Sequence, residues 1–242
     1  LSHLSYKWMK EENTITAIVP FFNEEQTLDE SVQRLISSGI FNQIILSDDS
    51  SSDKSAEIAS KLVSKNKNVE YICTLKNRGK GYALQNAQTY INSTHVVIHD
   101  ADLEYYPEDI SEMAEVAEQY SKSLILGSRF LGVKKRDNIY LRTYLANKFL
   151  SAFFSIVNFY KITDVATCYK LMPSEFFKSI VIKEKGFSIE IEILSKFLRF
   201  NKDIKEVPIK YSGRSYEEGK KIKFSDGIFY LINTLKYRIS NF

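Results

Sequence analysis

The sequence predicts an α/β fold, a mostly parallel central sheet with helices on both faces, followed by C-terminal amphipathic helices. Three observations carry this. Over the first two thirds of the chain, short β-rich runs alternate with longer helix-like runs, the pattern of a parallel sheet covered on both faces. No repeat of fixed period interrupts the alternation, which excludes a solenoid or propeller. At 242 residues, with 44% hydrophobic and 26% charged residues and only 9 Gly and 4 Pro, the chain suits one large domain with appended segments and excludes a low-complexity chain.

The elements follow in order. ITAIVP is a β-rich run closed by Pro20, and NEEQTLDESVQRLISSG behind it has acidic residues in its first turn and Gly39 at its end, making a β-α unit. QIILSDD and SSDKSAEIASKLVSK repeat the unit, with serines and Asp53 as N-caps, and VEYICTL with RGKGYALQNAQTYIN forms the third. HVVIHDADLE is a buried strand that runs into acidic residues. PEDISEMAEVAEQY is a helix with Pro107 near its first turn, and SLILGSRF is a further strand. There the alternation stops. Residues 138–160 form an aromatic-rich helical stretch, followed by VATCYKLM, a helix around IEIEILSKFLRF, the strand EVPIKY and a terminal amphipathic segment.

Charge and composition narrow the function. Lys plus Arg exceed Asp plus Glu by only 33 to 30, and a net charge of +3 gives no field that draws nucleic acid. No run approaches the roughly 20 apolar residues that span a bilayer. Cys73 and Cys168 have no metal-site spacing and no signal peptide accompanies them, so both are expected as buried, reduced thiols in a cytoplasmic protein. Residues 1–13 read as a short arm before the first strand.

In an open α/β sheet, ligands sit beyond the carboxyl ends of the strands. Those positions hold PFFNEE, SDDSSSD, KNRGKG, DADLE and GSRF. Three of the five are acidic, which suits a site where a divalent cation bridges carboxylates and phosphates. Asp100 and Asp102 lie two apart on extended backbone, project to one side, and have only Ala101 between them. Together they are placed to hold one hard cation, Mg²⁺ or Mn²⁺, with Glu104 as a further oxygen ligand. For Asp48 and Asp49 two readings stand open, acceptors for a base or ribose, or an N-cap cluster. RGKGYAL is either a phosphate cradle or the fixing of a turn. His3, His95 and His99 share no ligand spacing and read as structural or exposed.

PFFNEE, SDDSSSD, NRGKGYAL, DADLEYYPEDI and GSRF, continued by DVATCYKLM, KGFSIEIEI, EVPIKY and GRSYEEGKKI, resemble in order and spacing the family-two inverting glycosyltransferases of the GT-A fold. Within them the likeness is to the dolichyl- and polyprenyl-phosphate sugar synthases, and it covers residues 14–226. The resemblance implies a short arm (1–13), a GT-A domain (14–226) and a C-terminal amphipathic segment (227–242). It implies that Pro20, Phe22 and Glu24, with Ser47 and Asp49, border the nucleoside. Asp100, Ala101 and Asp102 would meet the donor diphosphate and its metal, with Glu104 standing where the synthases often have Gln. Arg129 and Arg142 look like the cations that receive a lipid phosphate and, with Asp102, make up the catalytic set. Arg214 and Lys220 resemble the basic loop that closes on the donor.

The implied reaction is an in-line displacement that moves a hexose from a nucleotide-diphosphate sugar, of GDP-mannose or UDP-glucose type, to a polyprenyl or dolichyl phosphate with inversion. A phosphate acceptor is already anionic and needs no general base. A glycan-extending transferase would need one, and Asp164 or Glu190 would be its candidates; a nucleotide-sugar-binding partner without turnover is the reading from another class. An acceptor of this kind places the protein at the cytoplasmic membrane face, peripherally or through a membrane subunit. LANKFLSAFFSIVNFYKI, with Phe149, Phe153, Phe154, Ile156, Val157 and Phe159 between Lys148 and Lys161, and FSDGIFYLINTLKYRI are the candidate interfacial segments, with Phe153 and Phe154 the rings to substitute if they face outward.

Overall fold

A computed structural model describes residues 13–132, 134, 136–138, 140–213 and 224–240. It begins with strand β1 (Ile15–Phe21), helix α1 (Leu28–Ser38), strand β2 (Gln43–Asp48), helix α2 (Ser55–Lys65), strand β3 (Val69–Cys73) and helix α3 (Lys80–Ala87). Strand β4 (His95–Ile98), helix α4 (Asp109–Gln119) and strand β5 (Leu124–Ser128) complete the predicted alternation. Then come a short strand β6 (Arg136–Asp137), helix α5 (Leu141–Asn158), strand β7 (Lys170–Pro173), helices α6 (Ser174–Ser179) and α7 (Ile189–Phe200), strands β8 (Ile204–Pro208) and β9 (Tyr211–Ser212), and helix α8 (Phe224–Ile239).

Seven strands form one sheet in the order β3-β2-β1-β4-β7-β5-β8, and β6 pairs with β9 in a separate ribbon. All neighbours in the main sheet are parallel except β7, which runs antiparallel to β4 and β5. Every residue of β1, β2, β4 and β5 is buried, as strands covered on both faces must be. α1 presents Leu28, Ser31, Val32 and Leu35 to the core at helical spacing and ends at Gly39, whose φ of 67° closes the helix in the left-handed conformation as expected.

The chain order reverses beside β1: β2 and β3 are laid on one side and β4 on the other. This is a topological switch point, where the strand ends splay open a crevice. The backbone departs from ordinary conformations at this rim. Asn23, Ser50 and Leu103, in the loops that follow β1, β2 and β4, all have positive φ, a cost that loops bear where a ligand site requires their shape.

His99 closes β4's buried end. Its ring lies between the Ser31 hydroxyl and the Tyr169 hydroxyl, each at 3.0 Å, and burial pushes its pKa down to about 4. Between pH 6.5 and 4 the unfolded chain binds a proton that the folded chain refuses, so stability falls as pH drops through that window. Wild type is expected to lose about 3 kcal/mol more than His99→Gln between pH 7 and pH 4. Urea midpoints at the two pH values measure this, and equal losses in the two proteins would refute it.

One expectation changes. Cys73 is exposed at the end of the edge strand β3, and only Cys168 is buried. On α5 Phe154 is wholly buried and Phe153 half-buried; the outward residues are Leu141, Leu145, Phe149, Ile156 and, just past the helix, Phe159. α5 turns Phe154 into the core because that side of the helix also carries Ser151, whose hydroxyl receives the Val165 backbone N–H. α8 packs on α5 and α7.

Candidate active site

The crevice beside β1 holds a cavity of about 320 Å³. Pro20, Phe22 and Glu24 enter it from the end of β1, Asp49 from the end of β2, and Asp100, Ala101 and Asp102 from the end of β4. Seven expected residues therefore meet in one place. The cavity also takes Lys80 from α3 and Lys185, Gly186 and Phe187 from the segment before α7. Lys80 was visible only as one cation of RGKG, and Lys185 to Phe187 only as the KGF of a longer motif. Their arrival is a long-range effect of the start of α3 lying against the segment before α7, where Lys80 also pairs with Glu190.

The β1 and β2 loops are stitched to each other. Asn23 Oδ1 accepts the Ser52 N–H at 2.9 Å, Ser55 Oγ accepts the Glu24 N–H at 2.9 Å, and Asp53 accepts those of Glu25 and Ser55. The serine-rich run is thus a fastening that shapes the rim. Asp49 is similarly engaged: its carboxylate accepts the backbone N–H groups of Arg78 and Gly79 and the Thr74 hydroxyl. The amides of the glycine-rich loop therefore face Asp49, as suits the turn-fixing reading of that motif.

Asp100 sits at the cavity wall with 21% of its side chain exposed and meets Lys80 Nζ at 2.8 Å. Burial alone would raise its pKa, but the Lys80 ammonium outweighs burial and holds it below the ordinary carboxylate value. Asp102 Oδ1 accepts the Glu104 N–H at 3.2 Å, a contact that shapes the DADLE turn. Among the described residues no three His, Cys, Asp or Glu side chains gather as a metal cage. The donor set is two carboxylates on one wall of an open cavity, which fits a hard cation that takes its other ligands from phosphates and water.

Four expected residues stand elsewhere. Ser47 is sealed beneath β2, its hydroxyl donating to Ala83 O at 2.8 Å, because its side of the strand faces α3. Glu104 does not line the cavity; the Tyr211 hydroxyl donates to its Oε2 at 2.6 Å. Arg129 is buried in a bidentate pair with Asp164, Nε and Nη2 lying 2.7 and 2.8 Å from its oxygens, and its guanidinium covers the Tyr211 ring. Arg142 is exposed in the first turn of α5. Arg214 and Lys220 lie outside the described residues.

The sheet and its switch-point cavity have a GT-A-like fold, and the family match makes the chain a glycosyltransferase. The chain belongs to Glycosyl transferase family 2, whose model matches residues 16–181. It is 26% identical over 218 residues to Uncharacterized protein MJ1222 of Methanocaldococcus jannaschii, covering 87% of each chain. It is 27% identical over 210 residues to a dolichol-phosphate mannosyltransferase of Pyrococcus furiosus, covering 85% of this chain and 58% of that one. It is 26% identical over 226 residues to an undecaprenyl-phosphate 4-deoxy-4-formamido-L-arabinose transferase of Edwardsiella ictaluri, covering 91% and 65%. The chain thus spans less than two thirds of either named transferase. The fold is shared with glucosyl-3-phosphoglycerate synthase of Mycobacterium tuberculosis, solved with Mn²⁺, uridine diphosphate and glucosyl-3-phosphoglycerate, at a TM-score of 0.70 and 17% identity over 95% of this chain and 81% of that one.

Proposed function

We propose that this glycosyltransferase moves a hexose from a nucleotide-diphosphate sugar to a polyprenyl phosphate at a membrane face, with a divalent cation and with inversion. The observation that carries the reading is the pairing of Asp100 and Asp102 on the wall of the switch-point cavity. Pro20, Phe22 and Glu24 supply the border for a nucleoside, and Asp100 and Asp102 would hold Mg²⁺ or Mn²⁺. Bound there, the cation would neutralise charge on the departing diphosphate. The two named relatives, both lipid-phosphate sugar transferases by name, support the acceptor class.

The arrangement of acids supports a phosphate acceptor over a sugar hydroxyl. Asp164 is clamped by Arg129, and Glu190 lies between Lys80 and Lys170, so each candidate base is already an ion-pair partner. An anionic acceptor makes neither of them necessary. Arg129 receives a lipid phosphate in this reading only by sharing its guanidinium with Asp164.

The membrane reading rests on α5 and α8. α8 buries Tyr230, Asn233, Thr234 and Tyr237 and exposes Ile228, Phe229, Ile232, Leu235 and Ile239, the reverse of an ordinary surface helix. α5, against which it packs, also exposes Leu141, Leu145, Phe149 and Ile156. Exposed apolar side chains on two packed helices, with Lys236 and Arg238 in the last turn of α8, suit the interfacial layer of a bilayer. No helix among the described residues is long and apolar enough to cross a membrane.

The reading is tested by nucleoside diphosphate release from GDP-mannose and UDP-glucose, with and without polyprenyl phosphate, in Mn²⁺, Mg²⁺ or chelator. Release that needs both lipid phosphate and metal is expected; release with sugar acceptors alone would overturn the acceptor assignment. For the membrane arm, wild type is expected to co-sediment with anionic vesicles, and Phe149→Ser/Phe229→Ser to bind at least about tenfold more weakly. Equal binding by the two proteins would remove the interfacial role.

A further inference from the structure

Below the cavity four charges stand in a row. Lys170 on β7, wholly buried, pairs with Glu190 Oε2 in the first turn of α7; Glu190 Oε1 lies 3.0 Å from Lys80 Nζ; and Lys80 Nζ lies 2.8 Å from Asp100 Oδ1 at the cavity wall. The signs alternate, so the row is neutral overall. Only its last member and part of Lys80 reach the cavity. From this geometry we infer that Glu190 is a positioning residue, acting through Lys80 on Asp100, and that it leaves the Asp100 carboxylate available to a divalent cation. The inference rests on the reading of Asp100 and Asp102 as the cation-holding pair.

The physical argument concerns the ammonium. A buried Lys must keep a carboxylate partner, because an uncompensated charge at such depth is strongly destabilising. Lys80 has two partners, and only one of them faces the cavity. When Asp100 engages a cation, its hold on Lys80 weakens, and Glu190 keeps the ammonium paired. Glu190 cannot itself drift to the cation, because Lys170 anchors its other oxygen. Without Glu190, Lys80 has Asp100 alone and competes with the cation for it. The glycines explain how Lys80 reaches this position: Gly79, at φ 96°, and Gly81 lie against the backbone of Glu184 and Lys185, which brings the start of α3 against the segment that leads into α7.

The test is Mn²⁺ binding, followed by the electron paramagnetic resonance of free Mn²⁺ with GDP or UDP present, alongside the thermal midpoint of each protein. Lys170→Met/Glu190→Gln removes one charge of each sign and leaves Lys80 on Asp100. It is expected to raise the half-saturating Mn²⁺ concentration about tenfold, the measure of a competitor no longer held back. Lys80→Met removes the competitor and is expected to bind Mn²⁺ as well as wild type or better. A double variant that loses thermal stability but binds Mn²⁺ like wild type would reduce Glu190 to a structural ion pair. Should the double variant not fold, Lys80→Met decides: a tenfold weakening there means Lys80 itself serves the ligand, and overturns the positioning role. If wild type binds no Mn²⁺ with either nucleotide, the cation reading fails first, and this role falls with it.

Discussion

Asp102→Ala is expected to fold and to lose transfer by at least about a hundredfold, the effect of removing one electrostatic stabiliser of a developing charge. The two halves of that expectation have different causes. Asp102 lies at the rim, where its Oδ1 takes the Glu104 N–H, and losing such a hydrogen bond costs on the order of 1 kcal/mol. Asp100, by contrast, sits in a charge row, so its removal would unpair Lys80 and confuse folding with chemistry. Asp102 is therefore the cleaner probe. Glu104→Gln is the control: its carboxylate accepts from Tyr211 and does not line the cavity, and the exchange is expected to change turnover by less than about threefold. Circular dichroism and the nucleoside-diphosphate release assay measure the two halves. Turnover of Asp102→Ala near wild type would end the assignment of the pair.

What was legible in the sequence was local. Continuous apolar runs between acidic turns showed the strands, and the position of the turns at strand ends showed which of them can meet; Pro20 to Glu24 and Asp100 to Asp102 do meet, because β1 and β4 are neighbours at the switch point. What was not legible is set by partners far apart in the chain. Nothing near Arg129 announces that it will pair with Asp164, nor does anything near Lys80 announce Glu190, 110 residues on. Helix faces depend on distant partners in the same way. The pattern of α5 shows that it is apolar, but which rings turn inward depends on Val165 and the other residues that receive it, so Phe154 and Phe149 were indistinguishable until the packing was known. IEIEI forms the helix expected of it, but its local pattern does not show that this helix is buried on nearly every side, with Glu190 and Glu192 paired to lysines.

Gly81→Ala is expected to destabilise the fold by roughly 2–3 kcal/mol, against the usual rule for helices. Gly81 is the second residue of α3, and at an unobstructed helical site Ala gains about 1 kcal/mol over Gly. Here a Cβ would stand 1.8 Å from the carbonyl oxygen of Glu184, a backbone atom that no side-chain rotation can move away. Either α3 or the 184–187 segment must shift. That segment is held from its other side: Glu184 receives hydrogen bonds from Asn233 and Tyr237 and an ion pair from Lys236, and Phe187 O accepts from the Tyr230 hydroxyl. The steric cost therefore outweighs the helical gain. Any displacement also reaches the cavity, since Lys80, which begins α3, and Lys185 to Phe187 all line it. Urea unfolding measures the loss, and titration with nucleoside diphosphate is expected to show binding weakened by about tenfold at temperatures where the variant is still folded. Gly39→Ala meets no atom within 4 Å but must adopt φ 67°, so it pays only a conformational cost of about 1 kcal/mol and leaves nucleotide binding unchanged. A Gly81→Ala protein as stable as Gly39→Ala would mean that the close contact between α3 and the Glu184 carbonyl does not exist in solution.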